Sequence, residues 1–197
     1  MLRFIRRRLE DRIVASEFCK RKYSALFEHL DNNRDGAIDV DDWHRHADFI
    51  QAETGWTADD PRLSSLLEAT DAWWGAMQEA FGQTDGSRIS KAQFLSFCDD
   101  LAEQLRAGGS PPEWAVEMCT RTHQMLDVSG NGVIDPDEYG LWLRAIGSKA
   151  DPREVFLVLD LDSDGVVDRD EMLVLFRQFL VSEDPVDPGN YLMTGTI

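Results

Sequence analysis

The sequence predicts an all-α protein: four helix–loop–helix units packed as two pairs in a compact body. Two observations predict it. Three twelve-residue stretches, 31–42 (DNNRDGAIDVDD), 127–138 (DVSGNGVIDPDE) and 160–171 (DLDSDGVVDRDE), share one layout. Each has oxygen-bearing side chains at its first, third, fifth, ninth and twelfth places, glycine at the sixth and an apolar residue at the eighth. Apolar residues at helical spacing flank each stretch, and a fourth stretch, 82–93, keeps the flanks and the apolar eighth residue without the ligands.

That layout suits a hard divalent cation such as calcium, which takes about six to eight oxygens at roughly 2.3–2.6 Å. Alternating side chains wrap around the ion. Glycine turns the chain so that the seventh carbonyl faces it, the ninth residue often acts through water, and the twelfth carboxylate supplies two oxygens. The expected ligands of the first loop are therefore Asp31, Asn33, Asp35, Ala37, Asp39 and Asp42. Those of the third are Asp127, Ser129, Asn131, Val133, Asp135 and Glu138; those of the fourth are Asp160, Asp162, Asp164, Val166, Asp168 and Glu171. A solvated acidic loop accounts for carboxylates, but not for their positions, the glycine, the apolar eighth residue and the repetition together. The fourth loop carries most carboxylates and is expected to bind most tightly. The first closes with Asp42, one methylene shorter than glutamate, so magnesium is expected to compete best there.

The elements follow in order. Tyr23, Leu26, Phe27 and Leu30 form the stripe entering the first loop; Trp43, Ala47 and Ile50 leave it, with His46 on their face and His44 off it. Gly55 stops that helix, and Thr57, Asp60 and Pro61 start a long one reaching about Phe81. Trp73, Ala76, Met77 and Phe81 lead into the second loop, and Phe94, Phe97, Cys98 and Leu101 lead out. Gly82, Thr84, Gly86 and Gln93 stand at its ligand places and Asp85 at the outward fourth, so this unit is silent. Gly108 and Gly109 separate the halves, and Ser110, Pro111, Pro112 and Glu113 start the next helix. Tyr139, Trp142, Leu143 and Ile146 follow the third loop, and Gly147 stops their helix. Asp151, Pro152 and Glu154 open the seventh helix, which carries Val155, Phe156 and Leu159; Met172, Leu175, Phe176 and Phe179 mark the eighth. From Ser182 onward Pro185, Pro188 and Gly189 preclude a continuation of the eighth helix, and Tyr191, Leu192 and Met193 are expected to fold back onto apolar surface.

The eighth residues should pair, Ile38 with Ile89 and Ile134 with Val167, which gives the silent unit a reason to persist. The expected division is a basic segment 1–22, a first pair 23–107, a second pair 108–181 and a tail 182–197. The basic segment reads first as a helix that neutralises the protein's own acidic body, with contact to a protein or an anionic membrane as the alternative.

The 197-residue chain is 43% hydrophobic, enough for a core, and carries a formal charge of −17, which repels nucleic acid. Bound calcium would offset part of that charge. Cys19, Cys98 and Cys119 make neither a metal pattern nor a disulfide framework and read as small buried residues in a reducing compartment. No run has the length of a membrane span and no secretory signal is evident, so a cytoplasmic monomer is expected.

On these loops and their spacing, wide in the first half and close in the second with a silent second unit, the chain resembles the sarcoplasmic calcium-binding protein family over about residues 20–180. The resemblance implies a single body of two packed pairs with a buffering or transport role in the cytosol. The basic start and Asp42 lie outside the family's essential pattern. Two alternatives stand beside the buffer. One is a sensor that exposes an apolar groove to a protein or membrane target; the scattered methionines and the tryptophans on helix faces favour a closed core instead. The other is a carrier of a small apolar ligand, as in the related luciferin-binding proteins and photoproteins, with Trp114, His123 and Trp142 lining the cavity. An enzyme is not expected: no nucleophile–base arrangement or phosphate loop is present.

Overall fold

Most helices begin where the sequence supplies an acceptor for their free first-turn amides. In the computed structural model, which describes residues 16–82 and 88–196, eight α-helices are found among those residues. They are α1 (Glu17–Leu30), α2 (Val40–Thr54), α3 (Pro61–Ala80), α4 (Lys91–Arg106), α5 (Glu113–Leu126), α6 (Pro136–Ala145), α7 (Pro152–Leu159) and α8 (Arg169–Val181). Two short strands, β1 (Ala37–Ile38) and β2 (Ile89–Ser90), and a 3-10 helix, Pro188–Tyr191, complete them. Asp60 and Asp151 cap α3 and α7, each followed by proline at the first helical position. The helix after the double glycine departs from expectation. Pro112 stands at its N-cap, so no side chain caps α5.

Three helices start inside the loops. Asp39, Asp135 and Asp168, each at a ninth place, cap α2, α6 and α8, and the twelfth residue reaches back to close a reciprocal box. The second unit preserves this device without a full ligand set. Gln93 Oε1 accepts from the Ser90 amide at 3.0 Å and from its hydroxyl at 2.7 Å.

Loops pair as expected. Ile38 lies opposite Ile89 in the antiparallel β1–β2 ribbon, and Ile134 forms a single bridge with Val167. α1 packs on α4 and α2 on α3; α5 packs on α6 and α8, and α6 on α7. The halves join chiefly through α3 against α5, with α4 on α8 and α2 on α6. Tyr23, Phe27, Ile50, Met77, Phe94, Leu105, Leu143 and Phe179 are among the buried residues of one continuous core. Each such burial is worth about 1.5–3 kcal/mol before conformational entropy is subtracted. Trp56, Leu63 and Trp74 are also buried, though the helical stripes did not mark them. The side chains of Trp43, His46 and Trp73 lie outside the described residues, as do 1–15 of the basic segment and Thr84, Asp85 and Gly86 of the second loop.

Lys22, grouped with the basic segment by composition, turns inward. Its ammonium donates to the carbonyls of Phe179 at 2.7 Å and Ser182 at 2.8 Å and to Asn190 Oδ1 at 2.8 Å. Burial lowers its pKa to about 8. The tail folds back as expected. Tyr139 Oη donates to the Leu192 carbonyl at 2.9 Å, Trp142 Nε1 to that of Met193 at 3.1 Å and Ser148 Oγ to that of Thr194 at 2.7 Å. Gly189 permits the closest approach, because a Cβ there would lie 2.3 Å from the Leu175 carbonyl oxygen.

Candidate metal centres

The first carboxylate of each loop is fixed by the glycine at its sixth place. Gly36 N donates to Asp31 Oδ2 at 2.9 Å, Gly132 N to Asp127 Oδ2 at 2.7 Å and Gly165 N to Asp160 Oδ2 at 2.8 Å. These glycines have φ of 88°, 91° and 93°, a region closed to most side chains. The fourth places are left-handed too, at Arg34 (60°), Gly130 (72°) and Ser163 (63°). Sequence reading missed this requirement, because only Gly130 advertises it.

The fifth residues are positioned by the seventh amides. Ala37 N donates to Asp35 Oδ1 at 3.2 Å, Val133 N to Asn131 Oδ1 at 3.0 Å and Val166 N to Asp164 Oδ1 at 3.0 Å. At the third places, Asn33 Oδ1 accepts from Asp35 N at 2.8 Å and Asp162 Oδ1 from Asp164 N at 3.2 Å, while Ser129 Oγ donates to Asp127 Oδ1 at 3.3 Å.

The twelfth residue closes each loop from the following helix. Glu138 accepts from Ser129 N at 2.8 Å and Asp135 N at 3.0 Å, and Glu171 from Leu161 N at 2.8 Å and Asp168 N at 2.9 Å. Asp42 makes the corresponding pair with Asn33 N at 3.2 Å and Asp39 N at 3.3 Å. The shorter side chain points the same way and reaches less far. Asp42 is wholly buried. Burial pushes its carboxyl above the usual carboxylate range, and the Asp39 and Asp31 charges add to the push; the two amides pull the other way.

All eighteen expected ligand residues thus fall into three loops of one design. In the fourth loop the ligand oxygens of Asp160, Asp162 and Asp164 lie within 4.8 Å of one another. That is about twice a calcium–oxygen distance, the spread of atoms around one ion. Asp31, Asp127 and Glu138 are buried carboxylates beside others of like charge, an arrangement that a divalent cation relieves.

Arg88, which the sequence did not single out, enters the first loop from across the ribbon. Its Nη2 pairs with Asp35 Oδ1, and its Nε lies 3.7 Å from Asp39 Oδ2.

An apolar cavity of about 130 Å³ lies between the halves; Leu26, Phe94, Met125, Trp142, Phe156 and Leu192 are among its lining residues. Of the three side chains that the ligand-carrier alternative would place there, Trp142 lines it and Trp114 and His123 do not. Trp114 packs against Phe97 with ring centroids 5.7 Å apart and tilted by 38°, and His123 Nε2 lies 3.3 Å from the Val167 carbonyl as a partnered core histidine.

The EF-hand family model matches residues 24–45 and 153–179. Calerythrin from Saccharopolyspora erythraea is 27% identical over 168 residues, which span 84% of this chain and 92% of that protein. Calcium-loaded apo-aequorin from Aequorea victoria superposes with a TM-score of 0.68 at 22% identity, covering 86% of this chain and 94% of that one. A Streptomyces coelicolor calcium-binding protein, described in terms of prokaryotic calcium-mediated regulation, also gives 0.68, at 23% identity over 84% of this chain and 99% of its own. The structural likenesses show the fold.

Proposed function

We propose that this EF-hand chain, similar to calerythrin, is a calcium buffer or transporter with three competent sites and no catalytic role. The observation that carries the proposal is the triple recurrence of one loop geometry: sixth-place glycine on first-place carboxylate, seventh-place amide on fifth-place oxygen, twelfth-place carboxylate turned inward. The ligands are the eighteen residues named above, with Ala37, Val133 and Val166 offering carbonyls and Asp39, Asp135 and Asp168 acting through water. The fourth loop binds most tightly, and magnesium competes best at the first. The second loop serves as the ribbon partner of the first.

A closed core supports buffering over sensing. Met77, Met125 and Met172 are buried, and side chains from α1 and α6 tie the tail down, so little apolar surface is poised to open. The cavity supports a second reading, carriage of an apolar ligand. Its volume is that of a benzene-sized guest, well short of a multi-ring one. The division into a basic segment 1–22, pairs 23–107 and 108–181 and a tail 182–197, the monomeric state, the cytosolic location and a protein or membrane contact through 1–22 belong to the same proposal. Among the described residues no helix is long and apolar enough to cross a membrane.

Calorimetric titration with calcium, run beside fluorescence of a hydrophobic dye, tests the proposal. Three binding events with flat or falling dye signal are expected. A sharp rise in dye signal would replace the buffer with a sensor, and fewer than three events would remove a site, the one closed by Asp42 first.

A further inference from the structure

The register of the β1–β2 ribbon sets Ala37 opposite Ser90 and Ile38 opposite Ile89. The next residues along, Asp39 and Arg88, therefore face each other across the ribbon as cross-strand neighbours. From there the Arg88 guanidinium reaches Asp35 Oδ1, and its Nε lies 3.7 Å from Asp39 Oδ2. Asp35 Oδ1 is also the oxygen that accepts from Ala37 N. It is the counterpart of Asn131 Oδ1 and Asp164 Oδ1, which are held by Val133 N and Val166 N. Among the ion pairs between described residues, Arg88 is the one cation that touches carboxylates at these ligand places. It comes from the unit whose own loop lacks most of the ligands.

We infer that Arg88 is a built-in competitor for the first site: a cation supplied by the silent unit that calcium must displace from Asp35. The inference rests on the calcium reading and deepens it. A guanidinium and a divalent ion cannot share one carboxylate oxygen without like-charge repulsion at close range. The first site is therefore weaker than its four carboxylates imply, and filling it frees Arg88 from the loop. The second unit sets the threshold of the first, and the occupancy of the first is felt at the start of β2. Arg88 and Asp35 are 48% and 40% exposed, so the competition is screened by salt.

The test is a calcium titration of the full-length protein and its Arg88→Gln and Arg88→Lys variants, followed by amide NMR. Gly36, Gly132 and Gly165 each donate to the first carboxylate of a different loop and so report the three sites separately. In Arg88→Gln the Gly36 midpoint should fall roughly three- to tenfold, the scale of a partly exposed ion pair plus repulsion. The Gly132 and Gly165 midpoints should stay in place. Arg88→Lys should lie between, and the gap between wild type and Arg88→Gln should narrow as potassium chloride is raised. The Arg88 Nε–H signal of the wild type should shift as Gly36 titrates, because the guanidinium leaves the neighbourhood of Asp35 and Asp39. A Gly36 midpoint that is unmoved or raised in Arg88→Gln, while all three glycines respond to calcium, would overturn the competitor and make Arg88 a support for the ligands. A protein in which none of the three glycines responds would overturn the calcium reading and this inference with it.

Discussion

Asp42 shows how a single methylene is felt. It occupies the place of Glu138 and Glu171 and makes the same two amide contacts, but at 3.2 and 3.3 Å where Glu138 makes them at 2.8 and 3.0 Å. Its carboxyl is wholly buried, so it already points into the loop and lacks only reach. Asp42→Glu should raise calcium affinity at the first site by roughly tenfold and weaken magnesium competition, because the longer side chain offers both oxygens to the larger ion. The Gly36 amide, titrated with each metal, reads this directly. An unchanged calcium-to-magnesium preference would mean that Asp42 already chelates with both oxygens.

At the scale of the element, the second unit is a helix start and a ribbon before it is a failed site. Gln93 supplies the acceptor for the Ser90 amide, and Ile89 pairs with Ile38. Gln93→Ala should cost about 0.5–2 kcal/mol, the usual worth of such a cap, and lower the melting temperature while leaving the calcium stoichiometry intact. Loss of a binding event in that variant would show that the ribbon shapes the first loop more than its own ligands do. The loops were legible in the sequence because their layout is local: alternation, a glycine and a closing acid within twelve residues. The helix faces were legible for the same reason. Trp56 and Trp74 were not, because their burial depends on what packs against them. The left-handed Arg34 and Ser163 carry no residue signal, and Arg88 is ordinary until the ribbon sets it opposite Asp39. Lys22 misled by composition, since its neighbours in sequence are basic but its partners are carbonyls at the far end of the chain.

At the scale of the molecule, one side chain joins α1, the end of α8 and the tail. Lys22→Met would leave the carbonyls of Phe179 and Ser182 and Oδ1 of Asn190 without this donor. Stability should fall by about 3 kcal/mol, or roughly 6–12 °C in melting temperature, with or without calcium. Limited proteolysis should then cut first between 183 and 196. A tail as resistant as the wild type's would show that Tyr139, Trp142 and Ser148 hold it unaided. The same contact has a temporal side. Lys22 and Asn190 are 168 positions apart, so on the ribosome the first helix is finished long before its last partner exists. At about 5–20 residues per second the interval is roughly ten to thirty seconds. During that time the face of Cys19 and Tyr23 that ends up against the tail and α8 has only earlier-made helices to shelter it. The nascent chain therefore carries that face uncovered until the segment around Asn190 has been made, and a ribosome stalled before the 3-10 helix would hold α1 and α8 without the segment that joins them.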